Sequence, residues 1–137
     1  VIEFKKLEEN AKIPQLSTEG AAGFDLFSTV DKTIYCTDRL LIGTGIAAKI
    51  PCGCVGIIKS RSSMAKRGID VKAGVIDSDY RGEVKVMLNS DSPGEYEIKQ
   101  GDKIAQLIVV PILTDAKEVA ELDDTGRGGG GFGSTGR

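Results

Sequence analysis

The sequence predicts an all-β fold, on three observations. Short β-rich runs recur along the chain, set apart by Gly, Pro, Asp and Ser. The clearest run alternates strictly. Val84, Val86 and Leu88 interleave with Lys85, Met87 and Asn89, the two-residue period of a half-buried strand. No segment of the 137 residues sustains a helical period.

In chain order the predicted strands are residues 2–6, 24–28, 33–36, 46–50, 55–59, 74–76, 84–88, 96–99 and 104–111. Breakers frame them. Gly23 precedes the second, Pro51 and Gly53 separate the fourth from the fifth, and Asp77 closes the sixth. Gly82, Gly94 and Gly101 stand before the last three. Residues 62–67 predict one helical turn, stopped by Gly68. Many short strands at close spacing point to a sandwich, a jelly roll or a closed barrel.

The length suits one domain, and 40% hydrophobic residues supply a core. A net charge of −2 gives no general attraction to nucleic acid or to an anionic membrane. No apolar run reaches membrane-spanning length. An anionic ligand would need a local pocket of placed Arg and Lys. The absence of His removes the commonest general base and metal ligand. Acid–base chemistry then falls to Asp, Glu, Lys, Tyr or Cys. The odd count of cysteines, Cys36, Cys52 and Cys54, without a signal peptide leads us to expect an intracellular setting, cytoplasm or nucleus, rather than secretion. All three read as small packing residues.

Composition changes near residue 125. We expect a β domain over 1–125 and a Gly-rich tail over 126–137, mobile when free. A Walker-type loop is excluded, because Arg137 stands where Lys belongs. Two readings stay open. One is a linker without function. The other is a lid. Its glycines would let N–H groups wrap phosphate, Arg127 would fork onto phosphate oxygens, Ser134 and Thr135 would donate hydroxyls, and Phe132 would stack on a base.

Four further stretches carry candidate chemistry. Asp77, in Gly74-Val-Ile-Asp-Ser-Asp-Tyr80, is either a turn former or a general base that orients water. Lys59-Ser-Arg61-Ser62-Ser63 is either a phosphate clamp or a surface charge beside a Ser helix cap. Gln106, an amide within an apolar strand, bonds either backbone or ligand. Asp25, a carboxylate in an apolar strand, either pairs with a nearby Arg or Lys or holds metal-bound water.

Taken together these stretches resemble the homotrimeric dUTPase family. Ala22-Gly-Phe-Asp-Leu26, Arg61-Ser62-Ser63, Gly74 to Gly82, Gly101-Asp-Lys-Ile-Ala-Gln-Leu107 and Arg127 to Gly136 look like its five motifs, in order. The resemblance implies a distorted jelly-roll β-barrel and a homotrimer whose active sites are shared between subunits. It implies hydrolysis of dUTP to dUMP and pyrophosphate with Mg²⁺, which would keep uracil out of DNA and supply dUMP for dTMP synthesis. It assigns the attacking water to Asp77, the deoxyribose to Tyr80 and the uracil edge to the backbone around Ala73 and Gly74. Arg61, Ser62, Ser63 and Gln106 would hold the phosphates. Arg127, Gly133, Ser134 and Thr135 would close on the γ end, and Phe132 would stack on uracil. Asp25 would support the hydrated Mg²⁺ through water. Phe24 stands where Tyr is common and Ser63 where many members have Gly. Two alternatives are a dCTP deaminase, which would use a Glu such as Glu83, and a non-catalytic nucleotide-sensing regulator.

Overall fold

A computed structural model describes residues 1–134 and 136. It is all-β with one short helix. Strands β1 (Glu3–Lys6), β5 (Arg39–Lys49), β9 (Glu83–Ser90) and β7 (Ile69–Lys72) form one sheet, in the order β1-β5-β9-β7. The second sheet runs β2 (Gln15–Leu16), β3 (Phe24–Phe27), β11 (Lys103–Pro111), β6 (Cys54–Lys59) and β8 (Val75–Ile76). Strands β4 (Lys32–Tyr35) and β10 (Glu95–Ile98) pair separately. Every pairing is antiparallel, and the arrangement is jelly-roll-like.

Pleating explains the core. In β9 the alternation read from sequence puts Val84, Val86 and Leu88 inside, each 2% exposed or less. Ile42 of β5, Ile58 of β6 and Leu107 of β11 join them in a single cluster. Burial of this aliphatic surface is the main favourable term in folding.

Helix α1 (Ser62–Lys66) buries only Met64. Its N-cap is Arg61, in extended conformation and without a side-chain capping bond, so no Ser serves as cap. Gly68 ends the turn at φ +83°. Its carbonyl accepts the Asp91 amide at 3.0 Å.

The structure corrects several strand limits. Strand β5 begins at Arg39 rather than residue 46, because Gly43 and Gly45 sit inside the strand, at a shift of register against β9, and do not end it. Strands β2 and β7 were not expected. The first has two residues, and the second follows directly on Gly68. Ser28 lies outside β3, where its hydroxyl donates to the Val30 carbonyl at 2.7 Å. Of the cysteines only Cys54 packs on the core; Cys36 and Cys52 are exposed, contrary to their reading as packing residues.

After Pro111 the described chain leaves the sheets. From 111 to 134 every residue is exposed except Gly130 and Gly131, which are half-buried. Leu113, Leu122 and Phe132 are 99%, 84% and 114% exposed. No helix among the described residues is long and apolar enough to cross a membrane.

Candidate functional site

The residues singled out from sequence fall into three sets. The first lines a cavity of about 320 Å³ between β8 and the start of β9. Its wall includes Ile58, Ala73, Gly74, Asp77, Tyr80 and Glu83. Two successive left-handed residues shape the rim, Ala73 at φ +56° and Gly74 at φ +89°. A left-handed conformation costs an ordinary residue about 1–2 kcal/mol, and such strain gathers at functional sites. Gly74 is required on a second ground. A Cβ there would lie 2.8 Å from the Ile58 carbonyl oxygen. The Gly74 carbonyl accepts the Ile58 amide at 2.7 Å, which ties the rim to β6.

Asp77 follows β8 and opens a backbone turn, in which its carbonyl accepts the Tyr80 amide at 3.2 Å. Its carboxylate is exposed and has no hydrogen-bond partner among the described residues. Tyr80 is held more firmly. Its hydroxyl donates to the Glu83 carbonyl at 2.8 Å, and its ring covers Gly82, where a Cβ would lie 2.6 Å from that hydroxyl.

The second set lies where β3, β11 and the end of β6 meet. Gln106 of β11 stands opposite Asp25 of β3 on one side and Lys59 of β6 on the other. Its amide donates to the Ser60 carbonyl at 3.1 Å. Gly23 makes room for it: a Cβ there would lie 2.6 Å from Gln106 Oε1. Arg61 is half-buried, donates to the Lys103 carbonyl at 3.2 Å, and so stands beside the same strand. Ser62 and Ser63 are exposed on α1. Asp25, 8% exposed, accepts a hydrogen bond from Ser17 and pairs with Lys103 Nζ at 3.4 Å. Lys103 and Ser17 carried no role in the sequence reading. Lys103 stood within a noted stretch, but nothing in that stretch indicates that its side chain turns back across the sheet to Asp25.

The third set is the tail. Arg127 Nε donates to the Gly130 carbonyl at 2.6 Å, and local turns link Gly128 to Thr125 and Ser134 to Gly131. Phe132 is fully exposed at φ +52°, followed by Gly133 at φ +87°. Thr135, assigned a substrate-binding role, lies outside the described residues. Among the described residues no hydrogen bond or ion pair joins the tail to either other set. The first two sets adjoin at the end of β6, where Ile58 of the cavity wall is followed by Lys59, Ser60 and Arg61.

No group of three or more Cys, Asp or Glu stands ready to hold a metal among the described residues. The second set offers one carboxylate, Asp25, already shared with Lys103 and Ser17. Such a donor set fits a hard cation that arrives hydrated on phosphate oxygens and touches the protein through water, not one caged by the chain.

Comparison with known proteins gives the context of this geometry. A family model described as dUTPase matches residues 9–136. The deoxyuridine 5'-triphosphate nucleotidohydrolase of Paramecium bursaria Chlorella virus 1 is 53% identical over 134 residues, covering 96% of this chain and 95% of that protein. The protein of the same name from Mus musculus is 48% identical over 138 residues, covering 99% and 85%. Among solved structures, the Staphylococcus bacteriophage 80alpha dUTPase with dUpNHpp superposes with a TM-score of 0.93 at 29% identity, over 100% of this chain and 99% of that one. A point mutant of the dUTPase from phage phi11 of S. aureus, whose structure concerns the coordination of a structural Mg(II) ion, matches with a TM-score of 0.83 at 28% identity, over 88% and 97%.

The rim geometry leads to a test independent of any ligand. Gly74→Ala combines a left-handed Ala with a collision on the Ile58 carbonyl, and should lower stability by about 2 kcal/mol or more. Urea denaturation measures it; an unchanged midpoint would show that the rim does not need glycine.

Proposed function

The chain belongs to the dUTPase family, and from that premise we propose that it hydrolyses dUTP to dUMP and pyrophosphate, with Mg²⁺, as a homotrimer with shared active sites. The observation that carries the proposal is the cavity rim, where two left-handed residues, Ala73 and Gly74, stand beside Asp77 and Tyr80. One nucleoside triphosphate needs a base and sugar pocket, a phosphate clamp and a cover. This chain has groups suited to each, and sharing them between copies is what the resemblance to the family implies.

In this reading the uracil edge meets the backbone of Ala73 and Gly74, where a side chain would block approach. The Tyr80 ring lies under the deoxyribose and leaves no room for a 2′-hydroxyl. Arg61, Ser62, Ser63 and Gln106 hold the phosphate chain, and Arg61 supplies forked donors to its oxygens. Gln106 exchanges its Ser60 bond for the ligand. Arg127, Gly133, Ser134 and Thr135 close on the γ end while Phe132 stacks on uracil. The tail, residues 126–137, thus acts as a lid over the site of the 1–125 domain.

Asp77 orients a water for in-line attack on the α-phosphorus and accepts its proton. The new P–O bond forms as the bond to the β-phosphate oxygen breaks, and pyrophosphate leaves. In phosphoryl transfer most of the rate comes from positioning and from charge neutralisation at the phosphates. Mg²⁺, when bound by the phosphates, adds to that neutralisation, and Asp25 would hold its water shell. By the cysteine usage we place the reaction inside the cell. Deamination of dCTP is disfavoured because the run around Glu83 does not resemble the deaminase pattern, whereas the Asp77, Tyr80 and glycine-tail motifs are present.

Four outcomes are expected. In a panel of dUTP, UTP, dCTP and dTTP, only dUTP should release pyrophosphate efficiently, and dCTP should release no ammonia; ammonia would establish the deaminase instead. Asp77→Asn should keep nucleotide affinity and lose about 10²–10⁴-fold in turnover, read by steady-state kinetics and calorimetry. Deletion of residues 126–137 should abolish most activity and preserve the trimer. Mixed trimers of that chain with Asp77→Asn should regain activity, and silent mixed trimers would rule out sharing.

A further inference from the structure

Between β5 and β9 the regular pairing is interrupted. Gly43 stands opposite Lys85, and the next pair is Ala47 with Glu83. Register shifts across the gap, and the main chain there is held by side chains. Thr29 donates to the Gly43 carbonyl through both its amide, at 3.0 Å, and its hydroxyl, at 3.1 Å. Thr44 Oγ1 donates to the Val84 carbonyl at 2.5 Å. The Gly45 amide donates to Glu83 Oε2 at 3.0 Å. Glycine makes the last contact feasible: a Cβ at position 43 would lie 2.7 Å from that same oxygen.

Glu83 therefore has two attachments that point in opposite directions. Its side chain fastens the start of β9 to the irregular stretch of β5. Its carbonyl accepts the Tyr80 hydroxyl and fixes the height of the ring over Gly82. The ring is otherwise 45% exposed. Its position relative to the cavity thus depends on where residue 83 sits, and residue 83 is held to β5 by its ladder pairing with Ala47 and by its carboxylate oxygen on the Gly45 amide.

We propose that Glu83 is a positioning residue for the Tyr80 steric gate, and so a determinant of sugar selectivity. The proposal rests on the assignment of Tyr80 to the deoxyribose. A gate discriminates by tenths of an ångström, so a ring whose support can drift admits a 2′-hydroxyl more readily. The needed property is an acceptor at the end of a four-atom reach, not a negative charge. The amide oxygen of Gln supplies it. Asp carries the charge but is one methylene too short.

The test compares kcat/KM for dUTP and UTP in the full-length protein and in Tyr80→Ala, Glu83→Ala, Glu83→Asp and Glu83→Gln, each checked for fold by circular dichroism. Tyr80→Ala tests the underlying assignment. If it leaves the dUTP preference unchanged, the gate itself is refuted. Given a gate, Glu83→Ala and Glu83→Asp should each lower the preference by about tenfold, mostly through improved use of UTP, and Glu83→Gln should stay within about twofold of the parent. A preference unaltered in Ala and Asp would overturn the role of Glu83 alone. So would an Asp variant that behaves as the parent while Gln fails, since charge would then be the cause. If Ala and Asp both lose the fold, the contact is purely structural and the proposal falls.

Discussion

The placing of strand β11 between β3 and β6 is the constraint on which the candidate site depends. Antiparallel ladders fix which residues stand opposite each other, and a slip of one residue turns every side chain to the other face. The register that seats Leu107 against Phe24 and Ile58 also sets Gln106 between Asp25 and Lys59. Apolar packing of Ile104, Ala105 and Leu107, each at most 1% exposed, thereby positions a polar cluster one residue away. The same β6 carries β8 on its far edge, through Gly56 opposite Ile76 and Ile57 opposite Val75. The cavity rim at Ala73 and Gly74 hangs from that pairing. Core burial and site geometry are one set of contacts read from two sides.

How charge is arranged follows from this framework. The chain is net negative, so its cations must be brought to particular places to meet a polyanion. Arg61 and Lys103 converge near β11, and each is partly satisfied within the free chain, Arg61 by a carbonyl and Lys103 by Asp25. Such weak internal bonds hold the side chains in place, and an incoming phosphate can replace them with charge-assisted ones. Among the described residues Arg127 donates only within its own tail, to the Gly130 carbonyl.

Much of this was legible in the sequence, for definable reasons. The alternation of Val84, Val86 and Leu88 is a local signal, and the strand appeared where it was read. The helical turn needed only Gly68 to end it. What could not be read was non-local. Gly43 and Gly45 look like breakers until one sees Glu83 and Thr29 filling the space beside them. A Ser beside Arg61 is one reading of the helix cap, yet Arg61 itself takes that position without a side-chain bond. The candidate site residues come from motif order, whereas their partners Ser17, Ser60 and Lys103 are sequence-distant neighbours and leave no mark on local pattern. Exposure of Cys36 and Cys52 belongs with these. Cysteine's usual burial is a statistical preference, and the turn from Pro51 to Cys54 puts Cys52 outside.

A chain without histidine can still be suited to phosphoanhydride hydrolysis, because the reaction makes modest demands on a base. The leaving pyrophosphate is already stabilised once its charges are met, and the attacking water needs orientation more than strong deprotonation. An exposed Asp77 at the cavity rim meets that demand only if sugar and phosphorus arrive at a fixed place beside it. Fixing them is the task of groups that never touch the reacting atoms: the strained rim, the Tyr80 ring and the anchors beneath it. On the roles proposed above, the side-chain bonds that bridge the β5–β9 gap serve the site as well as the fold.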